Sequence, residues 1–131
     1  MDEVVTALRG VPLFADLDDQ SLQAVAILAR EITTHADEVL ILEGEPGDAF
    51  YVILDGTVRV EHGDRTVRSM TAGGFLGEIA LIEHGMRTAT ATCVTRCRLL
   101  QIKRHEFDRL IDTMPEVHRR IRAAIERRAR D

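Results

Sequence analysis

Several residue types that mark particular protein classes are scarce in this sequence of 131 residues. Tryptophan is absent and aromatic residues make up 4% of the chain, which argues against a surface that stacks the bases of single-stranded nucleic acid. The two cysteines, Cys93 and Cys97, are too few for a disulfide framework and lack the second pair that zinc requires. We expect two reduced thiols that face one side of a strand, because an even spacing preserves the face.

Long hydrophobic runs and a strongly basic balance are also missing. No apolar run is long enough to span a membrane and no signal peptide is recognisable, so we expect a cytoplasmic protein. The net charge of −5 argues against direct nucleic-acid binding. Residues 117–130 nevertheless carry six arginines and one glutamate. We interpret this basic end as a solvated helix face, and a nucleic-acid or membrane patch is the weaker alternative.

Three stretches of different periodicity predict a single α+β domain over residues 1–131. Residues 1–31 carry apolar residues at helical spacing and aspartates suited to helix caps, which predicts N-terminal helices. Residues 32–103 are rich in β-branched residues and short glycine turns, which predicts a small antiparallel β-barrel or jelly roll of about eight strands. Residues 104–131 predict two helices broken at Pro115, the second with a mostly apolar stripe. The stripe consists of Val117, Ile121, Ala124, Ile125 and Arg128.

One segment inside the strand-rich stretch has a helical rather than an alternating pattern. Residues 78–82 predict a short helix, with Gly77 before it and Gly85 after it. The unpaired N–H groups and the dipole at the start of a helix attract an anion. Arg87 follows nine residues after Glu78, so a tight return brings its guanidinium back towards the same N–H groups. A guanidinium binds a phosphate through two parallel hydrogen bonds and stays charged at any working pH.

The residues next to Arg87 suit a sugar phosphate. Thr88 adds a hydroxyl, and the small side chain of Ala89 lets a ligand approach the backbone closely. Glu78 would repel a phosphate, but a carboxylate beside an anion site can accept a hydrogen bond from a sugar hydroxyl. A phosphate charge and a ribose hydroxyl lie close together in a cyclic nucleotide. The alternative is a structural ion pair between Glu78 and Arg87 beneath a loop.

These residues carry a resemblance to a known family. Residues 73–91, "GGFLGEIALIEHGMRTATA", resemble the phosphate-binding cassette of the cyclic nucleotide-binding domains found in the catabolite activator protein, the regulatory subunit of cAMP-dependent protein kinase and nucleotide-gated channels. Residues 43–60, "EGEPGDAFYVILDGTVRV", resemble the preceding strands and turn of that family. The resemblance implies that Glu78 binds the ribose 2′-hydroxyl and Arg87 the cyclic phosphate. The full set of ligand-binding residues it implies is Leu76, Gly77, Glu78, Ile79, Ala80, Arg87, Thr88 and Ala89.

The resemblance also implies regulation rather than catalysis. It favours cAMP as the ligand, with cGMP as the alternative because of the threonine at position 88, and it makes the two C-terminal helices a hinge and a lid. Candidate lid contacts to the purine are Arg120, Ile121 and Arg122, each of which could equally be a solvated helix side chain. Met86 stands where proline is common in the family, which predicts a looser return loop. The chain, a monomer or a dimer, would signal through an effector domain or a partner protein.

Three competing functions make different demands on the sequence. A domain of the same fold that binds partners without a nucleotide is the first alternative. A metal enzyme of the cupin kind needs a His-x-His pair, which the five scattered histidines do not supply. They are His35, His62, His84, His105 and His118. A DNA-binding regulator needs a helix-turn-helix after the last helix, for which the sequence leaves no room.

Overall fold

Helices at both ends flank a strand-rich middle in the computed structural model, which describes residues 2–11, 14–77 and 86–130. In chain order the elements are α1 (Asp2–Arg9), α2 (Asp19–Leu28), β1 (Arg30–Thr34), β2 (Val39–Ile41), β3 (Ala49–Asp55), β4 (Val58–His62), β5 (Arg65–Met70), β6 (Phe75–Leu76), β7 (Thr90–Cys93), β8 (Cys97–Lys103), α3 (Arg104–Thr113) and α4 (Pro115–Arg130). The predicted α+β class with eight antiparallel strands is confirmed. The predicted short helix at residues 78–82 lies outside the described residues. No helix in the described ranges is both long and apolar enough to cross a membrane.

Helix α2 begins at an aspartate cap. The Asp18 Oδ1 atom accepts a hydrogen bond from the backbone N–H of Ser21 at 2.8 Å, which satisfies one of the unpaired donors at the helix start. This hydrogen bond lowers the pKa of the Asp18 carboxyl. Leu22 and Val25 on the inner face of α2 are fully buried in the same core cluster as Leu8 of α1. The two N-terminal helices therefore associate through apolar faces.

The eight strands form two antiparallel four-stranded sheets. The first has the order β1-β8-β3-β6 and the second the order β2-β7-β4-β5. Strands β4 and β5 form a hairpin, in which His62 pairs with Arg65 across the turn. Gly63 in that turn has φ +62°, the left-handed conformation that favours glycine. Strand β1 begins at Arg30, two residues before the stretch in which strands were predicted.

Strand β3 is buried on both faces and separates two hydrophobic cores. Phe50 and Val52 lie in a core shared with the N-terminal helices, whereas Tyr51 and Ile53 lie in a core between the sheets. Successive side chains of a strand point to opposite faces, so a continuous apolar run in sequence becomes two half-cores in space. The start of β3, at Ala49, is thereby fixed from both sides.

The two cysteines lie on different strands, so the expectation of one shared strand was wrong. Cys93 ends β7 in the second sheet and Cys97 begins β8 in the first, with a turn between them. The even-spacing rule fails because it holds only within an uninterrupted strand. Both thiols are free and buried in the core between the sheets. Burial raises the pKa of Cys93 to about 11, against a hydrogen bond to Thr34 that lowers it.

The C-terminal helices meet at the predicted break. Helix α3 ends at Thr113, the N–H of Met114 still donates to the carbonyl of Leu110 at 3.0 Å, and Pro115 begins α4. Leu110 is buried in the core under the helices. The side chains of the predicted apolar stripe on α4 lie outside the described part of the chain.

Candidate functional site

Arg87 is a buried cation held by backbone carbonyls. In the sequence it follows Met86 and precedes strand β7, and it is buried, with only 6% of the residue exposed. Its Nη1 donates to the carbonyl of Gly77 at 2.8 Å, and its Nη2 donates to the carbonyl of Ala49 at 2.5 Å. These two contacts fix the plane of the guanidinium at the edge of the first sheet. A buried guanidinium held in this way presents a fixed positive charge and a planar fork of donors, which suit a phosphate.

Gly77 makes the close approach of Arg87 feasible. It has φ +92°, in the left-handed region. A Cβ at this position would lie 2.7 Å from the carbonyl oxygen of Ala49 and 2.8 Å from Nη1 of Arg87. Any other residue would therefore meet both the strained backbone and two atoms of the site. The close approach of Arg87 therefore requires glycine at position 77.

The backbone of the Arg87 segment is held from the other side by the turn after β2. The N–H of Arg87 donates to the carbonyl of Glu45 at 2.8 Å, and the N–H of Gly44 donates to the carbonyl of Arg87 at 3.0 Å. Met86 forms an isolated antiparallel bridge with Pro46. At Met86 and Arg87 the segment is thus paired with the turn after β2. The predicted looser loop before Met86 falls on residues 78–85, which lie outside the described residues.

Charged groups surround the start of β3 next to the site. Asp48 has a 90% exposed side chain, and its Oδ1 lies 3.9 Å from Nη2 of Arg87. Arg104, the first residue of α3, donates through Nε and Nη2 to the carbonyl of Gly47 at 2.9 and 2.7 Å. The backbone N–H of Arg104 also donates to the carbonyl of Asp48 at 2.9 Å. The start of β3 therefore links the guanidinium of Arg87 to the first turn of α3.

The structure brings some of the predicted ligand-binding residues together and leaves others undescribed. Leu76 is buried on β6, where it pairs with Tyr51 of β3. Thr88 is exposed and Ala89 half-buried, and both follow Arg87 directly. Glu78, Ile79 and Ala80 lie outside the described residues, so their predicted roles stay predictions.

The structure describes two of the three candidate lid side chains, and their predicted contact with the purine stays a prediction. The Nη1 of Arg120 lies 3.3 Å from Oδ2 of Asp16, in the segment before α2. Arg122 is exposed, and the side chain of Ile121 is outside the described part. Within the described ranges, no group of three or more histidine, cysteine, aspartate or glutamate side chains could hold a metal ion.

Sequence reasoning missed three partners of the site. The carbonyl of Ala49 holds Arg87, the carbonyl of Glu45 holds its backbone, and the imidazole of His62 contacts the carbonyl of Thr88 at 2.9 Å. Two of these partners act through backbone atoms, which any residue type supplies. The only sequence signal for these two backbone partners is the segment "EGEPGDAFYV", which contains both and belongs to the part of the family resemblance that precedes the cassette.

Comparisons with known proteins agree on one family. The sequence profile of the cyclic nucleotide-binding domain matches residues 31–114. The chain is 33% identical over 105 residues to a cAMP-dependent protein kinase regulatory subunit of Schizosaccharomyces pombe, and the match covers 79% of this chain and 26% of that protein. It is 36% identical over 122 residues to a cyclic nucleotide-gated potassium channel of Rhizobium etli, covering 92% of this chain and 34% of the channel. The chain thus spans about a quarter to a third of these relatives.

A solved structure shows the same architecture. The N-terminal domain of a transcriptional regulator from Streptomyces coelicolor A3(2) superposes with a TM-score of 0.81 at 31% identity. The superposition covers 95% of this chain and 92% of that one. The shared fold therefore extends over nearly the full length of both chains.

Proposed function

Because the chain belongs to the cyclic nucleotide-binding domain family, we propose that it binds cAMP at the site built around Arg87. The observation that carries the proposal is the buried guanidinium of Arg87, fixed by the carbonyls of Gly77 and Ala49. A guanidinium fixed in this way offers a planar fork of donors and keeps its charge at any working pH. A cyclic phosphate matches both properties, because it carries the opposite charge and accepts two parallel hydrogen bonds. The relative from Schizosaccharomyces pombe is by name the regulatory subunit of a cAMP-dependent protein kinase, which favours the same nucleotide here.

The remaining roles follow the family pattern. Glu78 accepts a hydrogen bond from the ribose 2′-hydroxyl, and Gly77 lets the ribose approach the backbone. Backbone N–H groups complete the phosphate shell, and Leu76 contributes apolar surface. The N–H groups are those of Ile79, Ala80, Thr88 and Ala89. The two sheets close around the ligand as a jelly-roll barrel.

Ligand occupancy is relayed through the C-terminal helices, with α3 as hinge and α4 as lid. The contacts that support this relay run from Arg87 to the carbonyl of Ala49, along the chain to Asp48, and from there to the N–H of Arg104 at the start of α3. A ligand that binds one position of these helices more tightly shifts the population towards it. We propose a non-enzymatic, cytoplasmic sensor, monomeric or dimeric, that acts on an effector domain or partner. The free thiols of Cys93 and Cys97 fit a reducing compartment.

Isothermal titration calorimetry of nucleotide-stripped protein with cAMP, and separately with cGMP, tests the proposal. Arg87→Gln should weaken binding by at least about 30-fold, since losing one partner of a buried charge pair costs about 2–5 kcal/mol. Arg98→Gln is the matched control, because the Arg98 guanidinium pairs with Glu31 and is 43% exposed. Tighter binding of cGMP would keep the site and correct the nucleotide. No binding of either nucleotide by the unmodified protein would leave the structural ion pair between Glu78 and Arg87 as the better interpretation.

A further inference from the structure

The tip of the β4–β5 hairpin contacts the backbone of the proposed ligand site. His62, the last residue of β4, has its Nδ1 atom 2.9 Å from the carbonyl oxygen of Thr88. A carbonyl oxygen can only accept, so Nδ1 of His62 carries the proton and donates it. Thr88 follows Arg87 directly, which places this contact one residue from the buried guanidinium.

The carboxylate of Glu43 lies beside the imidazole of His62. Its Oε2 lies 3.5 Å from Nδ1 of His62, and its Oε1 accepts a hydrogen bond from the N–H of Gly63 at 3.1 Å. The backbone N–H of Glu43 donates to Oγ1 of Thr90 at 3.0 Å. One residue therefore connects the end of β2, the hairpin turn and the start of β7, with His62 at the centre of the cluster.

We propose that His62, oriented by Glu43, is a positioning residue for the nucleotide site and acts through the Thr88–Ala89 peptide. The described part of the chain has no cis peptide bond. In a planar trans peptide the C=O and the following N–H point in opposite directions. Holding the carbonyl of Thr88 on the hairpin side therefore turns the N–H of Ala89 away from the hairpin. That N–H is one of the phosphate donors under the proposed function, on which this inference rests.

Two histidines allow a matched comparison of leucine variants. In His35 the Nδ1 atom lies 3.1 Å from the carbonyl oxygen of Ala36, and Nε2 lies 3.3 Å from Oε1 of Glu38. His35 thus has the same kind of partners as His62, on a different turn. Nucleotide affinity is measured by calorimetry, and the thermal midpoint of the ligand-free protein is measured alongside it. His62→Leu should weaken cAMP binding by roughly three- to tenfold, the value of one net hydrogen bond. His35→Leu should stay within about twofold of the unmodified protein.

Conservative replacements separate positioning from general stability. The Nδ2 of asparagine occupies nearly the place of the imidazole Nδ1, so His62→Asn should restore affinity to within about twofold. The longer His62→Gln places its amide near the Nε2 position and should stay weak. Glu43→Ala should weaken binding in the same direction, and the His62→Leu and Glu43→Ala double variant should lose less than the sum of the single losses.

The outcomes distinguish failure of this inference from failure of the proposed function. If the unmodified protein binds cAMP and His62→Leu binds equally well, the positioning role is refuted while the nucleotide site stands. The positioning role is also refuted if His62→Asn is as weak as His62→Leu, or if His35→Leu loses as much affinity as His62→Leu. If the unmodified protein binds neither cAMP nor cGMP, the proposed function fails and the inference fails with it.

Discussion

Replacing Gly77 by alanine tests whether the geometry around Arg87 depends on this glycine. The new Cβ would have to fit at φ +92°, with the carbonyl oxygen of Ala49 2.7 Å away and Nη1 of Arg87 2.8 Å away. The first neighbour is backbone on a strand buried on both faces and cannot easily move. The second is the guanidinium that we propose as the phosphate ligand. The substitution therefore strains the fold and displaces the site together.

Gly44 supplies the control that separates these two effects. It has φ +90°, but a Cβ there would meet nothing within 4 Å. Gly44→Ala should therefore lower the free energy of unfolding by the left-handed strain alone, about 1–2 kcal/mol. Gly77→Ala adds overpacking against Ala49 and Arg87, about 1–3 kcal/mol more. The expected total for Gly77→Ala is about 2–5 kcal/mol.

Urea unfolding of both variants measures the difference, and calorimetry with cAMP measures the effect on the site. Gly77→Ala should unfold at a lower urea concentration than Gly44→Ala and should bind the nucleotide more weakly, because the carbonyl of Gly77 orients Arg87. Equal destabilisation by the two substitutions would refute the proposed overlap. Unchanged affinity in Gly77→Ala would refute the claim that this glycine shapes the binding site.

Two further predictions concern groups outside the site. Cys93 and Cys97 should resist alkylation by iodoacetamide at about pH 8 in the folded protein and should react after unfolding. Both thiols are buried, and burial raises the pKa of Cys93 to about 11. Mass spectrometry follows the modification, and alkylation of the folded protein at the rate of a free thiol would contradict this prediction. The pKa of Asp18 lies below its ordinary value of 3.8, so the stability gained from its charge is complete above that pH and is lost as pH falls through the folded pKa. Asp18→Asn keeps a helix cap but removes the charge. The difference in thermal midpoint between the unmodified protein and this variant should therefore shrink as the pH falls through the acidic range. A difference that does not change with pH would count against the charge effect.

Local signals were sufficient for some of the element boundaries. The Asp18 cap and the break before Pro115 each depend on residues a few positions apart, and each lies where the sequence predicted it. The Cys93 and Cys97 expectation failed for a local reason as well, because a turn between them resets the strand face. Such signals act over the range of one turn or one hydrogen bond, which is why sequence reasoning handles them.

The partners of the site could not be predicted in the same way. The carbonyl of Ala49 lies 38 positions from Arg87 in sequence, and the imidazole of His62 lies 26 positions from Thr88. These contacts depend on the order of strands in two sheets, which no local pattern specifies. Arg87 itself was predicted from its spacing after Glu78 and from the family resemblance, and its ligand role stays a prediction. The structure adds the two carbonyls, of Gly77 and Ala49, that fix the guanidinium and give this role a physical basis.

The position of Arg87 between the two sheets supports the proposed role of the site as a sensor. Its guanidinium bonds to the first sheet, at Ala49 of β3 and at Gly77 just after β6, whereas its backbone bonds to Glu45 after β2 and leads into β7 of the second sheet. A phosphate that draws on the same guanidinium donors must compete with the carbonyl of Ala49. Ala49 continues into Asp48, whose carbonyl accepts from the first N–H of α3. Under the proposed function, a shift of Arg87 towards a ligand would therefore pass through Ala49 and Asp48 to the start of α3. A ligand that binds the shifted arrangement more tightly would move the population of that helix towards it, by the difference in its affinity for the two states.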